Sequence, residues 1–172
     1  GQKKMLRLFS QRGAYRIPVS ISENKDGIFE VSFSRFRNIP AMILLKALGM
    51  TSEAEMARLI GKETDNLIVN LYEYAEISNV EDAMMQIAEK TSLQGTKKEI
   101  LDRIKQRIDS YFLPHIGQKK EDRIKKAATF CKLIKQFLIA KGNPNVKTDK
   151  DHYANKRVRL SGDLLSSLFR VN

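Results

Sequence analysis

A single cysteine, Cys131, leaves this chain with no disulfide partner of its own and no thiolate cluster for a metal. A reducing, intracellular compartment is therefore expected. Long hydrophobic runs are missing as well: no apolar stretch approaches the roughly 20 residues needed to span a bilayer, and no signal peptide precedes the first strand pattern. The usual marks of catalysis are absent. There is no G-x-x-x-x-G-K-S/T phosphate loop, no G-x-G-x-x-G after a strand, no zinc-spaced Cys/His set and no nucleophile elbow. Asp149 and Asp151 form a carboxylate pair, but the cations around them keep both ionised, which does not suit a general acid. These absences point to a binding or scaffolding module that has no catalytic residues and no cofactor of its own.

What is present is an ordinary globular composition with an unusual charge map. The 172 residues are 42% hydrophobic and 30% charged, enough for one good core or two small ones. The start at Gly1-Gln2-Lys3-Lys4 and the stop at Asn172, inside an apparent helix, lead to the expectation of a piece of a longer protein. Net charge is +11, all of it in one segment: residues 1 to 96 hold 12 Lys or Arg against 12 Asp or Glu, whereas residues 97 to 159 hold 18 against 7. So uneven a distribution suits a polyanion, because each neutralised phosphate releases counterions. Lysine-rich, solvated helix faces would produce the same map.

The N-terminal part alternates with a period of two. Leu6 and Leu8 oppose Met5, Arg7 and Phe9. Tyr15, Ile17, Val19 and Ile21 form a second run, and Phe29, Val31 and Phe33 a third. Pro18 should push the second strand toward an edge or a bulge. Arg12-Gly13 and Asn24-Lys25-Asp26-Gly27 read as turns. These pieces predict a small antiparallel sheet that ends at Ile39-Pro40.

Helical spacing then takes over. Ala41 to Leu48 is apolar on nearly every side, placing Met42, Ile43, Leu45 and Leu48 in the core, with Gly49 as its C-terminal cap. Three Ser/Thr-x-x-Glu capping boxes, Ser52 with Glu55, Ser78 with Glu81 and Thr96 with Glu99, mark further helix starts. Leu67, Ile68, Leu71, Tyr72 and Ala75 outline another helix, capped by Asp65. Ala83, Met84, Ile87 and Ala88 face the core in the helix from Ser78; Met84 and Met85 read as core side chains rather than an adaptable groove. From Thr96, an apolar stripe of Leu101, Ile104, Ile108 and Tyr111/Phe112 runs beside Lys97, Lys98, Arg103, Lys105 and Arg107. His115, in a Pro-bounded apolar turn, reads as a hydrogen-bonded structural histidine. A long helix from about Lys119 to Lys141 carries Ile124, Ala127, Cys131, Ile134 and Leu138 on one stripe, and burial makes Cys131 a packing residue rather than a reactive thiol. The expected fold is α+β, mostly helical, with a small N-terminal antiparallel sheet packed against a bundle of about six helices.

The densest run of alternating charge lies at Asp149 to Arg170. Gly142-Asn143-Pro144-Asn145 ends the long helix, and a polar connector, expected to be mobile, leads to a turn and a last helix with Leu164, Leu165, Leu168 and Phe169 inward. Lys156, Arg157 and Arg159 are clustered enough to hold a phosphate, and arginine can do so with two parallel bonds. Ion pairs with Asp149, Asp151 and Asp163 are the alternative, and the two can hold for different residues.

Here the chain also resembles a known family. The run D-x-D-H-Y-x-N-K-R-V-R-L-x-G-x-L-L at Asp149 to Leu165 is similar to a segment of the second-largest subunit of multi-subunit DNA-directed RNA polymerases, in the archaeal and eukaryotic nuclear form. The phrases I-P-x-x-I-x-x-x-A-L-G from Ile39 and F-L-P-H-I from Phe112 resemble the same subunit, in the right order over nearly the whole chain. The resemblance implies a single lobe domain over 1–172, cut from a larger subunit: a sheet over 1–38, a helical body over 39–141, a connector over 142–151 and a C-terminal turn and helix over 152–172. It further implies a part of the wall of the DNA cleft, enzymatic only within the whole nucleotidyltransferase and cytoplasmic with the nucleoid. The family's catalytic magnesium is held by the largest subunit, and the zinc site of this one lies far C-terminal. Implied partners are the other polymerase subunits and domains, double-stranded DNA and the non-template strand near the downstream edge of the bubble, and transcription factors, with no membrane. Carried over from the bacterial D-x-D-H-L-G-N-R-R run, Asp151 and Lys156 would face the non-template strand, with Arg157 beside them and Arg159 completing the cluster. Lys156 stands where the bacterial run has Arg, which removes the guanidinium fork while keeping phosphate contact. Two other readings stay open: a protein-docking scaffold with a basic face and no significant DNA contact, and a free-standing nucleic-acid-binding domain.

Overall fold

The computed structural model describes residues 5–61 and 65–142, apart from the side chain of Tyr15. Strands β1 (Met5–Arg12), β2 (Tyr15–Glu23), β3 (Phe29–Phe33) and β4 (Phe36–Pro40) form one antiparallel meander in the order β1-β2-β3-β4. Six helices follow among the described residues: α1 (Ala41–Ala47), α2 (Glu53–Ile60), α3 (Asp65–Glu73), α4 (Val80–Thr91), α5 (Lys97–Tyr111) and α6 (Arg123–Gly142), the last preceded by a 3-10 turn at Lys120–Asp122. The α+β, mostly helical class read from periodicity is the observed one.

Period-two alternation places Leu6, Leu8, Val19, Ile21, Phe29, Val31 and Phe33 on one buried face, in the register Leu6↔Ile21↔Val31 and Leu8↔Val19↔Phe33. Helix α6 reaches that face through an aromatic side chain. Phe137 meets Phe29 edge-on at 6.1 Å, and Phe130, Phe112, Phe33 and Phe36 form a continuous aromatic chain with centroids 5.4, 4.8 and 4.9 Å apart. Helix α1 sits at the centre with all seven residues buried. Gly49, at φ +105°, closes it: Met50 N–H donates to Leu45 O and Gly49 N–H to Lys46 O, each at 3.0 Å, the paired bonds of a left-handed helix stop.

Several sequence expectations change. Strand β4 escapes the alternation test because a bulge interrupts it: the register shifts between Val31↔Ile39 and Phe33↔Phe36, Arg37 and Asn38 both turn outward, and Asn38, at φ +54°, donates its N–H to Ser32 Oγ at 2.9 Å. Strand β2 is central rather than an edge, and Pro18 is tolerated because β3 ends opposite Val19, leaving Pro18 paired only with β1. Helix α4 is capped by Asn79, not Ser78; the Asn79 carboxamide accepts from Asp82 N–H at 2.8 Å, which frees Glu81 to pair with Lys97 at 2.7 Å. Only half of the box at Ser52 forms, since Glu55 turns to Arg58 at 2.7 Å instead of back to the cap.

A further change concerns α3. Its inward face carries Leu67 and the fully buried Asn70, whereas Ile68, Val69 and Tyr72 are exposed, Tyr72 by 82%. What α3 packs against is the β2–β3 turn, whose peptide groups need partners. Asn70 Oδ1 accepts from Phe29 N–H at 2.8 Å, and its Nδ2 donates to Gly27 O at 2.8 Å and Asn66 O at 2.7 Å. A polar neighbour thus selects the polar stripe of the helix. Ile124, expected inside α6, is likewise 49% exposed, and Lys126 is buried instead.

Candidate nucleic-acid interface

Most of the basic excess is carried by α5, α6 and the bend between them, so the joint between these helices sets where the cations lie. Phe112 ends α5 and Leu113, at φ +45°, turns the chain. The guanidinium of Arg12, at the end of β1, donates to Pro114 O at 2.9 Å, and Ser10 Oγ is hydrogen-bonded to His115 Nδ1. His115 Nε2 is buried with no partner. Burial, reinforced by the nearby Lys126 charge, pushes the imidazole down to about 4, so His115 is a neutral structural residue. Across the joint, Arg123 grips Asp109 with two parallel bonds of 2.7 Å. Lys126 Nζ donates to Asp109 O at 2.9 Å and Ile108 O at 3.4 Å, capping the carbonyl end of α5. Its burial pushes the ammonium down to about 8, with Asp109 and Asp122 opposing the shift.

Internal pairing therefore occupies several cations that the sequence map counts as basic surface. Lys97 meets Glu81, Arg123 meets Asp109, Lys141 meets Glu23, and Lys126 is enclosed. Others have no ion pair among the described residues. Lys125, Lys132 and Lys135 are exposed and recur on one face of α6, along about 15 Å of helix. Lys98 and Lys105 share a face of α5. Cys131 is fully buried beside Met50, its thiol pushed up to about 12 by burial, which rules out a thiolate role at neutral pH.

Tertiary structure adds arginines that the segment count overlooks. On the outer face of the sheet, Arg7 and Arg16 flank the Phe9 ring, their guanidinium carbons 5.8 and 4.1 Å from its centroid. The alternation already sets Arg7 and Phe9 on one side; Arg16 joins them only through the β1–β2 register, where it lies diagonal to Phe9. At the β3–β4 turn, Arg35 lines a cleft with Ser34, Phe36, Arg107 and Tyr111. Nothing in the linear sequence joins position 35 to position 107. The expected contact residues Asp151, Lys156, Arg157 and Arg159 lie outside the described residues, as do the connector and last helix that should carry them.

Sheet and helical body together define a mostly helical α+β domain; among the described residues, no group of three or more His, Cys, Asp or Glu is placed to hold a metal. The family model described as RNA polymerase Rpb2, domain 2 matches residues 7–159. The chain is 37% identical over 169 residues to DNA-directed RNA polymerase subunit Rpo2 of Saccharolobus solfataricus, covering 96% of this chain and 15% of that protein. It is 34% identical over 176 residues to subunit Rpo2N of Halobacterium salinarum, covering 98% and 34%, and 32% identical over 170 residues to Rpo2N of Methanocaldococcus jannaschii, covering 95% and 34%. The chain thus spans about a third or less of each of these relatives. It belongs to the Rpb2 domain 2 family and is a domain of the second-largest subunit of an archaeal-type DNA-directed RNA polymerase, as the motifs imply. The alternative of a free-standing domain unrelated to polymerase falls with this match.

Proposed function

We propose that this domain is a wall element of the polymerase DNA cleft. In this reading it holds downstream duplex through exposed lysines and arginines, reaches the non-template strand with Asp151, Lys156, Arg157 and Arg159, and offers a docking surface to transcription factors. It acts only within the assembled, cytoplasmic nucleotidyltransferase, alongside the other polymerase subunits. The observation that carries the reading is family membership over 7–159 combined with cations that the fold leaves without carboxylate partners. Were those charges structural, they would be expected in ion pairs like that of Arg123 and Asp109; instead Lys125, Lys132 and Lys135 project into solvent.

Duplex binding by the chain should be weak, indifferent to sequence and steeply weakened between about 50 and about 200 mM salt. In the assembled polymerase, Lys156→Ala with Arg157→Ala should lower DNA retention while leaving assembly intact. Unchanged retention would remove those residues from the interface, and nanomolar sequence-specific binding by the chain alone would contradict the wall assignment. A second reading, a protein-docking scaffold without DNA contact, is favoured by the exposed apolar face of α3 at Ile68, Val69 and Tyr72. It predicts duplex affinity that stays negligible even at low salt.

A further inference from the structure

The cleft between the β3–β4 turn and α5 has the chemistry of an anion site. Only Ser34 and Arg35 separate the paired Phe33 and Phe36, so the hairpin tip is tight, and the tilted ring contact of Phe33 with Phe112 fixes that tip against the end of α5. Arg107 and Tyr111, one helical turn apart, face it across a cleft of about 340 Å³. Its lining offers two guanidinium groups, a serine hydroxyl and a phenol, and no carboxylate. Neither Arg35 nor Arg107 has an ion pair among the described residues, although carboxylates pair with Arg58 and Arg123 elsewhere in the fold. Two cationic residues lining one cleft with no carboxylate between them favour an anion there. The C-terminal carbonyls of α5 would themselves oppose an anion. Three of them are already occupied: Lys126 donates to Ile108 O and Asp109 O, and Gln118 donates to Ser110 O at 3.3 Å.

We infer that Arg35, Arg107, Ser34 and Tyr111 form a phosphate-binding site, and that the phosphate it takes is part of a nucleic-acid backbone. Planar guanidinium forks match phosphate oxygens with two parallel bonds each, and the hydroxyls of Ser34 and Tyr111 supply further donors. The Tyr111 ring, 42% exposed, offers a face on which the attached nucleoside can stack. The phosphate chemistry stands on the cleft alone; the choice of nucleic acid as its carrier rests on the cleft-wall function proposed above.

Two measurements test this separately. In the first, inorganic phosphate is titrated into the ¹⁵N-labelled chain at constant ionic strength while the arginine Nε–H resonances are followed. Arg35 and Arg107 should shift saturably with phosphate and not with chloride; shifts no larger than those of Arg58 and Arg103 would overturn the site. This arm uses the unmodified chain and so depends on no variant's folding. In the second, duplex DNA binding is followed by fluorescence anisotropy across a salt series. Arg35→Ala with Arg107→Ala should lower the slope of log affinity against log salt by about 2, with an unchanged melting temperature. Phosphate shifts with an unaltered slope would overturn the nucleic-acid carrier and leave a site for free phosphate. Phosphate shifts in a chain with no duplex affinity would overturn both the carrier and the proposed DNA contact. Normal salt-dependent duplex binding without the shifts would overturn this site and leave that contact standing.

Discussion

Acid should destabilise this domain through His115. Its neutral ring is enclosed where β1 meets the α5–α6 bend, bonded to Ser10 through Nδ1 and without any partner at Nε2. Protonation gives both nitrogens a hydrogen to donate, yet only one has an acceptor, and the new charge appears near Lys126. The folded ring is held down at about 4, against an ordinary 6.5. Below 6.5 the unfolded chain binds the proton and the folded chain does not, so stability is full above about pH 6.5, falls as pH drops, and levels off below about 4. The shift corresponds to about 3 kcal/mol in total, of which about 2 kcal/mol is lost between pH 7 and 5. That is a large share of the 5–15 kcal/mol, roughly, that holds a typical domain together. Urea midpoints of the chain and of His115→Gln at pH 7, 6 and 5 isolate the effect, because carboxylate titration is common to both. The native protein should lose about 2 kcal/mol more than the variant over that range. Parallel losses would refute the account of an enclosed, unprotonated ring.

Four further outcomes follow from the fold. Asp109→Ala strands Arg123 and leaves the buried Lys126 with Asp122 alone to favour its charge; it should cost roughly 2–4 kcal/mol in urea unfolding, part of it recovered by adding Arg123→Ala. Asn70→Ala removes the partners of Phe29 N–H and Gly27 O; it should cost roughly 2–4 kcal/mol and speed hydrogen exchange selectively in α3 and the β2–β3 turn. Gly49→Ala should cost about 1 kcal/mol through backbone conformation alone, since a methyl group there meets no atom within 4 Å. Cys131 should stay unmodified by a thiol reagent at pH 7.5 in the folded chain and react only after denaturation.

Periodicity reveals what is buried wherever an element packs against apolar neighbours, and fails where the neighbour is polar. Helix α4 buries Ala83, Met84, Ile87 and Ala88 as its spacing predicts, because it lies between α1 and α5. Helix α3 turns the other way, since Asn70 must answer the peptide groups of a distant turn, and its spacing cannot report that demand. The same limit governs the candidate site. Local composition locates the cationic segment but does not distinguish Lys126, buried as a cap for another helix, from Lys125 beside it in solvent.

The α+β class, the central apolar helix α1, the turn at Asn24–Gly27, the family and the segment holding the charge excess are all legible in the order of residues, because each depends on neighbours close together along the chain. Which cations are neutralised and which converge depends on packing in three dimensions, as when β3–β4 hairpin geometry and aromatic contact bring Arg35 and Arg107 to one cleft. Electrostatic partnership is a matter of a few ångströms in space, and only the packed core sets those separations.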